Sequence, residues 1–493
     1  MDGHPHRALS MTESAGVSQG NYHKVILKNV RLWEPCSDQD STEWLALPAN
    51  TTGDRKGYSI RPMHLQPQSA PRLYVIVQPD GSLWLEGCLY LFWCWSVKGI
   101  KDSTASNAAG DLSDMMNKLT DGERTYDIFR GPQSERPTYY YKSELKLEIA
   151  RGQIKRKTAN RKIGNMIGFY TWKVMCRNFK PEAEMWISTI KRRRYTDVYG
   201  VIQVKEVMAT DLPFKNKESI STGRFIRDGG KLFPITRENQ QSLLDALIQL
   251  GNTEMLLTHI VGLTTGMRIQ SILTLRHNCI ISGIGADNDP FKYSLHPITI
   301  GDGQMTEAKG GKNQVVEMPA WVHHMLNTYI HSQRHTERAA KSPITNKDDQ
   351  YVFLTRTGKP YYVAEIDQSL FDFSAEKGSA IRQFAKVIQE QLMKNNTSFK
   401  YQFHDLRATF GMNLLEDYMQ KRDKGEMNQL ELLDKLKNRL NHEDVNVTIG
   451  YIKYRQDHPI LAQAQSEVEA HLEAIVRREI SKHDKSRASP LRD

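Results

Sequence analysis

Arg268, His404, Arg407, His442 and Tyr451 stand in four separate stretches of the chain's second half. A chain in which they act together must fold those stretches around one cleft, a tighter constraint than any bulk property sets. They are two permanent cations, two imidazoles and a phenol, a set suited to holding and attacking a phosphodiester. Thr264-Thr265-Gly266-Met267-Arg268 ends an apolar helix. His404-Asp405-Leu406-Arg407 opens a helical run, and Leu440-Asn441-His442 and Thr448-Ile449-Gly450-Tyr451 follow it.

His404 and Arg407 are three residues apart, so on a helix they project from one face and converge on one group. A guanidinium is planar and always charged, and its fork donates two parallel hydrogen bonds to phosphate oxygens. Two arginines therefore clamp both non-bridging oxygens, where charge builds in the pentavalent transition state. A tyrosine hydroxyl, with an ordinary pKa near ~10, attacks at neutral pH only beside cations and a proton acceptor. His404 and His442 are the candidates for that acceptor. If the arginines carry the charge, no metal or other cofactor is required. The protein ester that the phenol forms stores the energy of the cleaved bond, so rejoining needs no ATP.

In this order, Thr265-Gly266-Met267-Arg268, His404-Asp405-Leu406-Arg407, Leu440-Asn441-His442 and Tyr451 resemble the tyrosine recombinase (phage-integrase) family. The resemblance implies Tyr451 as nucleophile, Arg268 and Arg407 as phosphate clamps, and His404 and His442 as acid/base and hydrogen-bonding partners. It also implies a lysine on a β-hairpin that protonates the leaving 5′ oxygen. Ala308-Lys309-Gly310-Gly311-Lys312, before Val315-Val316-Glu317-Met318-Pro319, is similar to that hairpin, with Lys309 preferred over Lys312. Ser271 and Asn441 depart from the family's usual glutamate and glycine at those places. The long gaps from Arg268 to Lys309 and from Arg407 to His442 imply inserted loops at 278–296 and 420–430. The implied activity is that of a site-specific recombinase or integrase that cleaves and rejoins duplex DNA through a 3′-phosphotyrosine. Double-stranded DNA is then the partner, with a homo-oligomer, dimer or tetramer, assembled on it and accessory DNA-bending proteins beside it. The same residues leave open a topoisomerase-like or hairpin-forming resolvase with this chemistry, and a non-catalytic DNA-binding regulator on the same scaffold.

A formal charge of +10 over 493 residues favours a polyanionic partner. The longest apolar run, Leu89 to Trp95, is too short to span a bilayer, so a membrane is not expected as partner. The five cysteines are scattered without CxxC spacing, which indicates neither a disulfide framework nor a zinc site and suits a reducing cytoplasm.

The expected fold class is mainly α with small β-sheets. Residues 1–21 read as a disordered start and 22–85 as a small β-containing module, from runs such as Leu73-Tyr74-Val75-Ile76-Val77. Residues 86–185 carry at least two amphipathic helices, through Ala105, Ala108, Leu112, Met115 and Leu119 and through Ile163, Met166, Ile167, Tyr170 and Val174. Lys155, Arg156, Lys157, Arg161 and Lys162 read as a basic flank ahead of the second helix. That arrangement resembles the family's core-binding domain, which clamps DNA. Residues 186–234 read as a connector whose Lys191-Arg192-Arg193-Arg194 lies on backbone phosphates.

The catalytic domain is expected over 235–458, with Thr236 as the N-cap of its first helix. Strands are expected near 292–300, 313–318 and 351–354, and helices at 379–394, 404–419, 429–440 and 444–455. His259 reads as a packed or surface histidine. The segment 459–493 reads as an amphipathic helix and basic tail that in related enzymes packs on a neighbouring protomer.

Overall fold

The computed structural model describes residues 21–37, 43–46, 57–64, 68–196, 202–215, 225–281, 294–371, 378–397, 399–457 and 472–478. The chain divides into two compact units, Met1–Glu218 and Ser219–Asp493. Both carry α-helices and small antiparallel sheets, and the chain as a whole is of the mainly α class.

The first unit opens with β1 (His23–Arg31), β2 (Trp33–Pro35), β3 (Glu43–Ala46), β4 (Gly57–Pro62) and β5 (Ser69–Val77). β1 pairs with β5, Val25 opposite Val75, and β4 lies between β2 and β3. Then come α1 (Leu85–Ser96), α2 (Asp102–Asp121), α3 (Pro137–Ala150) and α4 (Arg156–Arg177). A two-stranded ribbon buries too little apolar surface to stand alone. Tyr74 and Ile76, on one face of β5, accordingly share one core with Trp84, Tyr90, Leu112, Tyr141, Phe169 and Tyr170. The Phe169 ring stands 5.2 Å from that of Trp84 and 5.7 Å from that of Tyr90, and burial of each such side chain is worth about 1.5–3 kcal/mol. An antiparallel ribbon follows, β6 (Ser188–Thr196) with β7 (Ile202–Thr210), in which Arg192 faces Glu206.

The second unit begins with a two-residue-per-strand hairpin, β8 (Ile226–Arg227) and β9 (Lys231–Leu232). α5 (Arg237–Leu250) starts as expected at Thr236, whose side chain accepts from the Asn239 amide. α6 (Thr253–Thr265), α7 (Ile269–Leu273) and α8 (His277–Ile281) follow. β10 (Leu295–Ile300) pairs antiparallel with β11 (Gln314–Pro319), and a tight turn at Lys309–Gly311 precedes the second strand. The remaining helices are α9 (Ala320–Ile330), α10 (Gln333–Ala339), α11 (Ser379–Lys394), α12 (Asp405–Asp423), α13 (Gln429–Arg439) and α14 (Val445–Asp457).

Two expected features differ. Residues 351–354 form no strand of their own, only isolated bridges of Arg276 with Tyr351 and Leu354 with Pro360. Their apolar run is fully buried, and burial without ladder pairing is what the pattern recorded. The inserted loop expected at 420–430 is largely helix: α12 runs to Asp423, and a capping box of Asn428 and Glu431 restarts the chain as α13. Much of the other expected insertion, at 282–293, lies outside the described residues.

Two apolar clusters hold the site. One joins α5, α6, α9, β10, β11 and α11 through residues such as Leu247, Ile260, Val316, Leu326 and Ile388. Leu472 and Val476 of a short described helical stretch lie in this same chain's cluster. The other gathers Ile226 and Leu232 of the β8–β9 hairpin with Phe410, Leu415, Leu436, Leu440, Tyr451 and Tyr454. Among the described residues no helix is long and apolar enough to cross a membrane.

Candidate active site

The turn between β8 and β9, Asp228-Gly229-Gly230, reaches into a cleft walled by α6, α7, α12 and α14. Four side chains from four segments donate to the one carboxylate of Asp228. Arg407 Nε meets Oδ2 at 2.5 Å, His442 Nε2 meets it at 3.0 Å, and the Tyr451 hydroxyl at 3.3 Å. Arg268 Nη2 meets Oδ1 at 3.4 Å. His404 Nε2 donates to the Asp228 backbone carbonyl at 3.0 Å. A Cβ added to Gly229 would lie 3.5 Å from His404 Nε2 and 3.9 Å from Lys309 Nζ. The structure therefore brings Arg268, Lys309, His404, Arg407, His442 and Tyr451 around one short turn.

Local structure explains each placement. α6 ends at Gly266 in the left-handed region, φ 64°, and two residues later Arg268 stands extended at the head of α7. A Cβ at Gly266 would press on Phe410 of α12, so a bare backbone lets α6 approach α12 closely. His404 and Arg407 sit at the start and on the first turn of α12, as their spacing requires. Arg407 is anchored beyond the carboxylate: Nη1 donates to the Gly266 carbonyl at 2.8 Å and Nη2 to the Leu440 carbonyl. It thus presents Nε to the anion position, not the two-pronged fork that the sequence suggested. His442 follows Asn441, whose positive φ of 50° turns the chain out of α13. Tyr451 lies on α14, its ring beside Gly411 of α12.

The electrostatics follow from a shared, dry position. Burial alone would raise the Asp228 carboxyl, but the His442 hydrogen bond and the Arg407 charge outweigh it and hold it well below the usual carboxylate range. Burial lowers both His442 and His404, against the pull of Asp228, and favours their neutral forms. A carboxylate only accepts, so neutral His442 carries its proton on Nε2, and its Nδ1 accepts from the Thr448 hydroxyl at 2.9 Å. Burial, and next the Asp228 charge, push the Tyr451 hydroxyl well above its ordinary value, while the charges of Arg407 and Arg268 pull it back.

Of the two hairpin lysines, Lys309 borders the cleft. Lys312 pairs with Glu443 at 2.8 Å, both side chains exposed. Tyr454 is buried in the cluster around α12 and α14. His259 is buried in α6, its Nδ1 donating to the Met255 carbonyl at 2.6 Å and its Nε2 accepting from the Tyr401 hydroxyl at 2.9 Å.

The basic residues expected on DNA are placed unequally. Lys155 precedes α4, while Arg156, Lys157, Arg161 and Lys162 belong to its first two turns and so are not a separate flank. Lys155, Arg156 and Lys157 are exposed. Arg161 instead binds Asp111 at 2.6 Å, and Lys162, largely buried, binds Asp114 at 2.8 Å. Lys191, Arg192, Arg193 and Arg194 lie within β6, where Arg192 pairs with Glu206 at 3.0 Å on an exposed surface.

Sequence reasoning missed Asp228 and Thr448. Asp228 had one signal, an Asp-Gly-Gly turn bracketed by Arg227 and Lys231. Thr448 had one too, its place six residues after His442 at the opening of α14, the helix that carries Tyr451.

No family model and no curated protein matches the chain. Its fold is similar to solved structures of integrases and site-specific recombinases. A Tn1549 transposon integrase in complex with a circular intermediate DNA is 14% identical, with a TM-score of 0.42, covering 74% of this chain and 94% of that one. The XerH site-specific recombinase bound to a palindromic difH substrate is 14% identical, with a TM-score of 0.39, covering 76% and 92%. A lambda integrase dimer bound to a core site is 12% identical, with a TM-score of 0.39, covering 76% and 95%.

Proposed function

We propose that this protein is a site-specific DNA recombinase or integrase that cleaves and rejoins strands of duplex DNA through a covalent 3′-phosphotyrosine at Tyr451. The observation that carries this reading is the convergence of Arg268, Arg407, His442 and the Tyr451 hydroxyl on one anion position. A bound oxyanion there takes its charge stabilisation from two guanidiniums, and the phenol stands at hydrogen-bond distance from it.

In the reaction the Tyr451 oxygen attacks phosphorus and its proton passes to a neutral imidazole, His404 or His442. The bond from phosphorus to the 5′ oxygen breaks, and Lys309 gives that oxygen a proton. Arg268 and Arg407 hold the non-bridging oxygens throughout. Rejoining runs the same steps backwards from a 5′ hydroxyl, so atoms and charge balance without ATP. The protein acts on DNA as a dimer or tetramer, with Lys155, Arg156, Lys157 and the basic β6–β7 ribbon on backbone phosphates.

The test is a duplex library nicked so that the fragment 3′ to the cleavage site diffuses away and traps the ester. Protein–DNA adducts should accumulate, with the DNA mapped by mass spectrometry to the peptide containing Tyr451. Sequence-specific DNA binding with no adduct under any condition would leave a regulator and remove the enzyme.

A further inference from the structure

Asp228 occupies the position that the scissile phosphate needs. Its two oxygens take the donors that two non-bridging phosphate oxygens would take: Arg268 on one, and Arg407, His442 and Tyr451 on the other. An ionised carboxylate and a phosphodiester are both anions, and neither shares so small a buried site with the other. We propose that Asp228 is a built-in plug of the catalytic site, a phosphate surrogate that holds the cleft closed without DNA and must be expelled by the scissile phosphodiester before strand cleavage. This rests on reading the cleft as a phosphodiester site.

The hairpin that carries Asp228 is built for a held but reversible position. Ile226 and Leu232 anchor it in the cluster around α12 and α14, and the Phe233 and Ile235 amides are tied to Asp405 Oδ1 and Thr409 Oγ1, each at 2.9 Å. The anchors flank a turn of only three residues on strands of two residues each. Gly229 has φ 72°, and Gly230 has no side chain to wedge in the cleft. The turn can therefore swing out while its base remains anchored.

The plug has two consequences without DNA. It neutralises guanidiniums that would otherwise stand buried and unpaired. It also takes the Tyr451 proton as a hydrogen bond, so the nucleophile remains a phenol while no substrate is present. Phosphate entry replaces the carboxylate on the same donors and hands the phenol an electrophile in its place. A catalytic base at Asp228 would instead leave the arginines free for substrate, whereas here both are engaged by the carboxylate itself.

The test uses the full chain, wild type and with Asp228→Asn and Asp228→Ala, and reads inorganic phosphate binding by thermal shift and titration. A plug lowers apparent affinity by the fraction of time the site stands closed. Both variants should bind phosphate roughly tenfold tighter than wild type or better, and adding Arg407→Gln should abolish the gain. On the nicked duplexes both variants should form adduct faster at limiting DNA. If Asp228→Asn instead loses adduct formation at saturating DNA while its phosphate affinity is unchanged, Asp228 belongs to the chemistry and the plug is overturned.

If the variants fail to fold, hydrogen exchange on the wild-type chain decides. Amides of 226–233 should exchange faster with DNA bound, and added protection there overturns the proposal. A phosphate gain in the variants with no adduct from any protein keeps the plug and removes strand cleavage. Adduct formation with no phosphate gain does the reverse.

Discussion

Tyr451 of α14 packs its ring against Gly411 of α12 so closely that a Cβ on Gly411 would overlap Cε1 and stand 3.0 Å from Cδ1. The same Cβ would stand 3.0 Å from Leu440 Cδ1, so it has no room to shift away from the ring. Gly411→Ala should therefore cost about 1–3 kcal/mol by overpacking. It should slow adduct formation more than it weakens DNA binding, because the phenol is displaced from its line of attack. Chemical denaturation and adduct kinetics check both, and an alanine variant with wild-type kinetics would show that the ring position does not matter.

The two arginines should separate on stability and coincide on activity. Arg407 is buried and binds Asp228 and the carbonyls of Gly266 and Leu440. Removing it takes a donor from both carbonyls and the closest cation from the buried Asp228 carboxylate, at a cost of roughly 3–5 kcal/mol. Arg268 is partly open to solvent and meets Asp228 only at 3.4 Å, so Arg268→Ala should cost roughly 1 kcal/mol. Both should depress adduct formation by orders of magnitude while DNA binding falls modestly, and lysine should rescue neither well. Equal losses in binding and cleavage would remove the clamp assignment.

Acid should destabilise the fold through buried neutral histidines. Burial brings His259 down to about 4, His277 to about 3 and His323 to about 4. A base with a depressed native pKa binds fewer protons folded than unfolded. Its contribution is thus full above the unfolded value of about 6.5 and is lost as pH falls toward the native value. Unfolding free energy should drop between about pH 6.5 and pH 4, with a slope of up to about 1.4 kcal/mol per pH unit for each histidine. Asp228 is also shifted downward, and because its charged form is the one favoured, it adds loss only as pH falls below about 4, the ordinary carboxylate value. Urea midpoints that stay constant from pH 7 to pH 4.5 would contradict this.

What the sequence made legible was whatever short-range chemistry marks. Gly266 announced the turn that places Arg268, Thr236 announced its cap, and the His404–Arg407 spacing announced one helix face. Partnership across long separations left no mark. Arg161 and Lys162 look like free cations, yet their partners Asp111 and Asp114 lie on another helix. Asp228 is a lone acid in a polar, glycine-containing stretch, and only tertiary folding sets it among residues from 268 to 451. The buried run from Tyr351 to Leu354 has the composition of a strand, yet among the described residues it meets Arg276 and Pro360 only through isolated bridges.

Lys309 rather than Lys312 should act on the leaving group, because Lys309 borders the Asp228 turn and Lys312 is paired with Glu443 outside it. A 5′-bridging phosphorothiolate leaves without needing a proton, so it should restore cleavage to Lys309→Ala. Lys312→Ala should cleave the ordinary substrate nearly as well as wild type. If the sulfur substrate rescues Lys312→Ala and does nothing for Lys309→Ala, the roles are exchanged.

The sequence offers two tyrosines on α14, Tyr451 and Tyr454, three residues and nearly one turn apart. Tyr454 would have to reach phosphorus from about 5 Å further along the helix axis, and attack tolerates no such displacement. The Tyr451 hydroxyl already stands among the donors of the anion position, whereas Tyr454 packs in the apolar cluster beside it. Tyr451→Phe removes one oxygen and one 3.3 Å hydrogen bond, so melting should change by no more than about 1 kcal/mol, and DNA binding should persist. The covalent adduct should vanish. Tyr454→Phe should keep it, with any loss appearing in stability alone. An adduct that survives Tyr451→Phe and disappears with Tyr454→Phe would require the helix to slide by a turn on DNA, and would transfer the nucleophile to Tyr454.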